Sequence, residues 1–134
     1  MEKPSVAILG ASADRSKFGN KAVRAFAQQG YTVYPVNPKE TEIEELPAFK
    51  SISDVPARPN LISVYLPPPV LLKVLPAIAA KGCDEFWLNP GTESDEVLAE
   101  AERLEGAERV AADVGGDVHA PHLLLRQLQR REHR

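Results

Sequence analysis

A three-layer, doubly wound α/β domain of Rossmann-like form, built on a five-stranded parallel sheet, is the fold this chain of 134 residues predicts. Three observations predict it. Short runs that are apolar at nearly every position alternate with longer segments whose apolar residues recur every three or four positions. Strands apolar on both faces belong inside a sheet covered by helices on either side, and such sheets are usually parallel. Glycine or proline closes nearly every run, and right-handed crossovers between parallel strands leave few topologies open.

The elements follow in order. Ser5 to Leu9 is a short strand ending at Gly10, and Gly19 to Gln29 is a helix that places Ala22, Val23, Phe26 and Ala27 on one face. Gly30 supplies the left-handed conformation that ends helices. Tyr31 to Val36 is the second strand, stopped by Asn37-Pro38. An acidic, proline-punctuated connection runs on to Pro59, with a short helical turn at Ile52 to Val55. Leu61 to Leu66 is the third strand, which must end before Pro67-Pro68-Pro69 because proline donates no ladder hydrogen bond. Val70 to Lys81 is a helix whose Pro76 should kink it or open one of its hydrogen bonds. Asp84 to Leu88, Ser94 to Leu104, Arg109 to Ala112 and Pro121 to Arg131 complete the alternation as strand, helix, strand and helix. No repeat or linker interrupts it, so residues 1–134 read as one domain.

Composition narrows the function classes. With 43% hydrophobic and 26% charged residues, the chain suits a layered core without disulfides or metal staples. A net charge of −3 and the absence of a basic stripe interleaved with aromatics argue against a nucleic-acid surface. No apolar run approaches the roughly 20 residues that span a bilayer. The single cysteine, Cys83, permits no intrachain disulfide and no all-thiolate zinc site, so a soluble cytoplasmic protein is expected.

In an open parallel sheet, ligands bind beyond the C-terminal ends of the strands, where strand order reverses. The first such loop runs from Gly10 through Ala11 and Ser12 to Gly19 and Asn20. Its small residues let backbone approach a ligand, and the helix that follows offers unpaired amides to a phosphate. Arg15, Lys17 and Lys21 add positive charge. The loop matches neither the G-x-G-x-x-G dinucleotide fingerprint nor the G-x-x-x-x-G-K-[ST] loop. The second strand ends in Asn37, Pro38 and Lys39, with no acid before Glu40 to grip free ribose hydroxyls. A phosphorylated ribose suits this edge better, which favours coenzyme A or an NADP-like ligand over NAD. Pro67 and Pro68 form a rigid wall or a stiff helix entrance, and Asn89-Pro90-Gly91 is a pocket rim; Trp87 reads as core.

Taken together, Gly10-Ala11-Ser12, Gly19-Asn20, Tyr34-Pro35-Val36-Asn37-Pro38, the proline turn and Trp87-Leu88-Asn89-Pro90-Gly91 resemble the small stand-alone CoA-binding domain proteins. They are also similar to the CoA-binding N-terminal domain of the succinyl-CoA synthetase alpha subunit. The resemblance spans about residues 5 to 120. It implies coenzyme A as cofactor, held by its pyrophosphate on the first loop, with the Asn37-Pro38-Lys39 edge near the adenosine phosphate and Pro67-Pro68 bordering the ligand.

Chemistry of the chain's own is not evident. The phosphorylatable histidine of the synthetase fold belongs to a second domain for which this chain is too short. His119, His122 and His133 have no firm carboxylate or cysteine partner, and Asp113 and Asp117 do not match the calcium-loop spacing. Cys83 reads as a buried small hydrophobe. No catalytic or metal set is nominated. The expectation is a non-catalytic module binding coenzyme A or an acyl-CoA, as a homo-oligomer or beside an acyl-CoA enzyme partner. The alternatives are an NADP-dependent oxidoreductase and a regulatory subunit of an acyl-CoA enzyme.

Overall fold

The computed structural model describes residues 3–89, 91–92 and 94–104. Among these residues the sheet is parallel and four-stranded, with β1 (Ser5–Leu9), β2 (Thr32–Val36), β5 (Leu61–Val64) and β6 (Glu85–Leu88) in the order β2-β1-β5-β6. The expected fifth strand at 109–112 and last helix at 121–131 lie outside the described residues. Register aligns Leu9 with both Val36 and Val64, and Val64 with Leu88, so four strand ends finish level on one edge. The chain leaves β1 in one direction for β2 and crosses back past β1 to reach β5. That reversal puts a topological switch point between the ends of β1 and β5.

Side chains alternate across each strand, and both faces are buried. On one face Val6, Ile8, Val33 and Leu61 pack with Ala22 and Val23 of α1 (Phe18–Gln28). On the other, Ala7, Leu9, Ile62, Val64, Phe86 and Leu88 pack with Leu71, Leu75 and Ile78 of α2 (Pro68–Lys81). Val97, from a third helix at residues 95–104 (α3), completes that second layer. This is the doubly wound arrangement the alternation predicts.

Local chemistry sets the ends. Gly30, at φ +91°, closes α1 through bonds from the Gly30 amide to the Ala27 carbonyl and from the Tyr31 amide to the Phe26 carbonyl, each 3.1 Å. This Schellman pattern brings its hydrophobic contact with it, since the Phe26 and Tyr31 rings meet edge-on at 4.8 Å. The helix α2 begins two residues earlier than its apolar spacing suggests, because prolines fit the first helical turn, where no intrahelical donor is needed. It runs unbroken through Pro76, which is exposed.

The acidic connection holds an element its sequence does not announce. β3 (Glu42–Ile43) and β4 (Leu46–Pro47) form an antiparallel hairpin. Glu44 and Glu45 both take positive φ, 51° and 66°, as a two-residue hairpin turn of type I′ demands. Phe49 then bridges the outer side of β2, its amide bonded to the Pro35 carbonyl and its carbonyl to the Asn37 amide, both at 2.9 Å. Pro35 thus sits in an edge strand with its missing donor turned away from β1.

At the opposite edge of the sheet, Asn60 ties the strand starts together. Its side chain accepts from the Ser5 amide at 2.8 Å and donates to Asp84 at 2.9 Å, and Arg58 donates to Asp84 at 2.8 Å. Hydrogen bonds from Arg58, then Asn60, hold the Asp84 carboxyl below its ordinary range. A carboxyl lowered in the folded state stabilises above its unfolded pKa, and that contribution fades as pH falls through the folded value. Asp84→Ala should therefore cost up to about 1 kcal/mol at neutral pH, since the pair is exposed, and the gap from the unaltered protein should narrow as pH falls from neutral through the acid range. Urea unfolding of both proteins across that range checks it; a gap constant with pH would refute the assignment.

Candidate functional site

Three strand ends and one helix start meet at the switch point. The Gly10 amide bonds to the Val36 carbonyl at 3.2 Å and the Tyr65 amide to the Leu9 carbonyl at 2.8 Å. The backbone packing is close enough to exclude side chains. A β-carbon on Gly10, whose φ is +86°, would fall 2.5 Å from the Tyr65 carbonyl oxygen. One on Gly19, in the first turn of α1, would fall 2.2 Å from the Gly10 carbonyl oxygen. Gly10, Ala11 and Ser12 are thus clasped between the end of β5 and the start of α1.

Asn37 fastens the end of β2 to the same loop. Its amide nitrogen donates to the Ala11 carbonyl at 2.8 Å, while its side-chain oxygen accepts from the Lys39 amide at 2.7 Å and the Glu40 amide at 3.1 Å. This turn, closed by the side chain, leaves Lys39 exposed on the same edge of the sheet. Pro38 stands exposed within it, while Pro67 and Pro68 lead from β5 into α2 beside Leu66.

The start of α1 carries Lys17 as its N-cap, with no side-chain cap and no acidic residue in the first turn. Lys17 and Phe18 are exposed, Phe18 by 73%, and the Lys21 ammonium lies 5.1 Å from the Phe18 ring centre. An uncapped helix start flanked by lysines favours an anion. The one carboxylate within the loop is already engaged. Asp14 accepts from the Ser16 hydroxyl at 2.7 Å and the Ser16 amide at 2.9 Å, which, with Lys17 nearby, holds it below the ordinary carboxylate range.

Two of the residues singled out from the sequence, Asn20 and Arg15, are tied to other side chains of the protein. Asn20 is fully buried. It donates to the Ser12 carbonyl at 2.9 Å and to Glu44 at 3.0 Å, and accepts from Arg24 Nε at 2.7 Å. Arg15 pairs with Glu44 at 3.3 Å, and its carbonyl accepts from Arg24 at 3.0 Å. Four residues thus close a ring joining the loop, α1 and the hairpin turn. Bonding from Asn20, then the charges of Arg15 and Arg24, holds the Glu44 carboxyl low. Neither Glu44 nor Arg24 is marked by any motif in the sequence.

Asn89 and Gly91 stand farther out, at the end of β6. Asn89 is buried and donates to the Ser63 hydroxyl at 2.9 Å and the Val64 carbonyl at 2.8 Å, so it binds β6 to β5. Gly91 is exposed at φ +92°. Cys83 is buried, as expected. Among the described residues no group of three or more His, Cys, Asp or Glu side chains is placed to hold a metal, and no helix is long and apolar enough to cross a membrane. The three histidines, Asp113 and Asp117 lie outside the described residues. A groove of about 340 Å³ opens along β2, lined by Tyr31, Tyr34, Leu46 and Phe49 among others, and includes none of the nominated residues.

A family model described as CoA binding domain matches residues 4–113, which hold the whole clasped loop. The chain belongs to that family. This CoA-binding domain is 30% identical to the acetate–CoA ligase (ADP-forming) I subunit alpha of Pyrococcus furiosus, over 87% of this chain and 29% of that subunit. It is 32% identical to the corresponding II subunit alpha, over 58% of this chain and 17% of that subunit. The chain therefore spans less than a third of these relatives' length. Among solved structures, a conserved hypothetical protein from Pyrococcus furiosus superposes with a TM-score of 0.71 at 33% identity, covering 75% of this chain and 87% of that one. A dinucleotide-forming acetyl-coenzyme A synthetase 1 from Ca. Korarchaeum cryptofilum superposes at 0.61 with 27% identity, covering 84% of this chain and 24% of that one.

Proposed function

We propose that this domain binds coenzyme A or an acyl-CoA at the clasped loop, as a single non-catalytic module that presents the cofactor to a partner carrying the rest of an acyl-CoA enzyme. The observation that carries this reading is the uncapped start of α1, with Lys17 and Lys21, set against the Gly10–Ser12 backbone. Coenzyme A brings a pyrophosphate and a ribose 3′-phosphate, and the donors fit both. Backbone amides and lysines serve the first, and Lys39 on the rim after β2 serves the second. Gly10, Ala11, Ser12, Lys17 and Gly19 form the loop wall, with Asn37 and Asn20 holding its backbone. Pro38, Pro67, Pro68, Asn89 and Gly91 border the ligand's course along the same edge. The partner half of the proposal is supported by the relatives, which are subunits of acetate–CoA ligases much longer than this chain.

Calorimetric titration with coenzyme A, 3′-dephospho-CoA and NADP tests it. Coenzyme A should bind, and Lys39→Ala should weaken it about tenfold while leaving 3′-dephospho-CoA within about twofold, because only the former loses a charge pair. Binding of NADP without coenzyme A would replace this reading with a reductase. Binding of neither would move the search to a protein partner.

A further inference from the structure

We propose that Glu44 is a positioning residue for the cofactor loop, acting through Asn20 and Arg15 without touching the ligand. The inference rests on the coenzyme A reading above. One oxygen of Glu44 accepts both from Asn20, on α1, and from Arg15, in the loop. Asn20 spends its second amide hydrogen on the Ser12 carbonyl, and Arg24 spans from the Asn20 side-chain oxygen to the Arg15 carbonyl. The loop is therefore gripped at Ser12 and at Arg15, and Glu44 is the common acceptor that holds both grips in register. Its charge is matched at close range by Arg15 and Arg24, so it orders the loop without leaving an unbalanced anion beside a phosphate site. The hairpin supplies it at a cost. Both turn residues occupy the left-handed region that non-glycine residues leave unless their surroundings hold them there.

The reach of the side chain, rather than its charge, is what this geometry needs. Glu44→Gln keeps an oxygen acceptor at the same distance from the backbone, whereas Glu44→Asp shortens the arm by one methylene. The experiment is coenzyme A titration together with amide hydrogen exchange of the segment 10–17 in the unaltered protein, Glu44→Ala, Glu44→Gln and Glu44→Asp. Glu44→Ala and Glu44→Asp should weaken coenzyme A about tenfold and speed exchange in the segment, and Glu44→Gln should stay within about threefold. Should Glu44→Ala fail to fold, the contrast between the Gln and Asp variants still decides. Weaker binding with unchanged loop exchange, or a Gln variant no better than Ala, would overturn the positioning role. If the unaltered protein binds no coenzyme A, the functional reading falls by itself; faster exchange in the Ala and Asp variants alone would still support the loop's dependence on Glu44.

Discussion

Gly19→Ala should lower stability by about 2–3 kcal/mol or more, the opposite of what this substitution does in most helices. Alanine in a helix interior is ordinarily favoured over glycine by about 1 kcal/mol. Gly19 has an ordinary helical backbone, so conformational strain is not the issue. The obstacle is the Gly10 carbonyl oxygen 2.2 Å from the new β-carbon, with the Gly10 carbonyl carbon at 3.1 Å and the Ala11 α-carbon at 3.3 Å. All three are backbone atoms, so no rotamer change relieves the contact. Either α1 withdraws from the sheet, opening the core around Ala22 and Val23, or the loop shifts and the cofactor wall is lost. A fall in Tm of about 10 °C or more is expected, together with loss of coenzyme A binding. Gly30→Ala is the comparison: its φ of +91° disfavours alanine where that of Gly19 does not, yet nothing lies within 4 Å of the added carbon, so only about 1 kcal/mol should be lost. If Gly19→Ala melts no lower than the unaltered protein, the close approach that defines this site is wrong.

The fold was legible because the signals that specify it are local and redundant. β1 is apolar on both faces, which only a covered sheet satisfies, and Gly30 stands where a Schellman end needs it. The β3–β4 hairpin was not legible, because its turn is Glu44-Glu45 where Asn-Gly would announce a type I′ geometry. Two-residue strands also show too little alternation to register as a period. The structure keeps that turn through contacts with Asn20 and Arg15, which lie 24 and 29 positions away in the chain. Apolar spacing alone puts the start of α2 at Val70, because the first turn carries Pro68 and Pro69 in place of apolar side chains, while the alternative reading of Pro67 and Pro68 as a stiff helix entrance matches the structure.

The loops of the candidate site were readable for similar reasons, since strand ends, glycines and Asn-Pro turns fall where parallel topology places ligands. The division of labour among their polar residues was not. Asn20 and Arg15 look alike in sequence, as donors beside a glycine-rich loop, but one is fully buried and the other has a side chain 67% exposed. Burial makes Asn20 a brace for the loop backbone. The deciding partner, Glu44, sits in a segment with no visible connection to the loop.

Asn20→Asp should be more damaging than its small change in shape suggests, by about 2–5 kcal/mol at neutral pH. The native amide nitrogen gives one hydrogen to the Ser12 carbonyl and one to Glu44. Replacing it by oxygen leaves three acceptors facing one another around a fully buried side chain, two of them carboxylates. Arg24, which donates to the retained oxygen at 2.7 Å, offsets only part of this. Burial and the neighbouring Glu44 charge raise the folded-state pKa of the introduced carboxyl above its unfolded value of about 3.9. A raised carboxyl penalises the fold once pH climbs through that folded value and carries no ionisation penalty below the unfolded one. The deficit against the unaltered protein should thus be large at pH 7 and shrink toward pH 4, where a protonated acid restores one donor. Asn20→Ala leaves the same groups unpaired without adding a charge, so its deficit should depend far less on pH. Urea unfolding of the three proteins at pH 7 and pH 4.5 separates these outcomes, and an Asp deficit equal at both values would mean that position 20 is neither as buried nor as close to Glu44 as the ring requires.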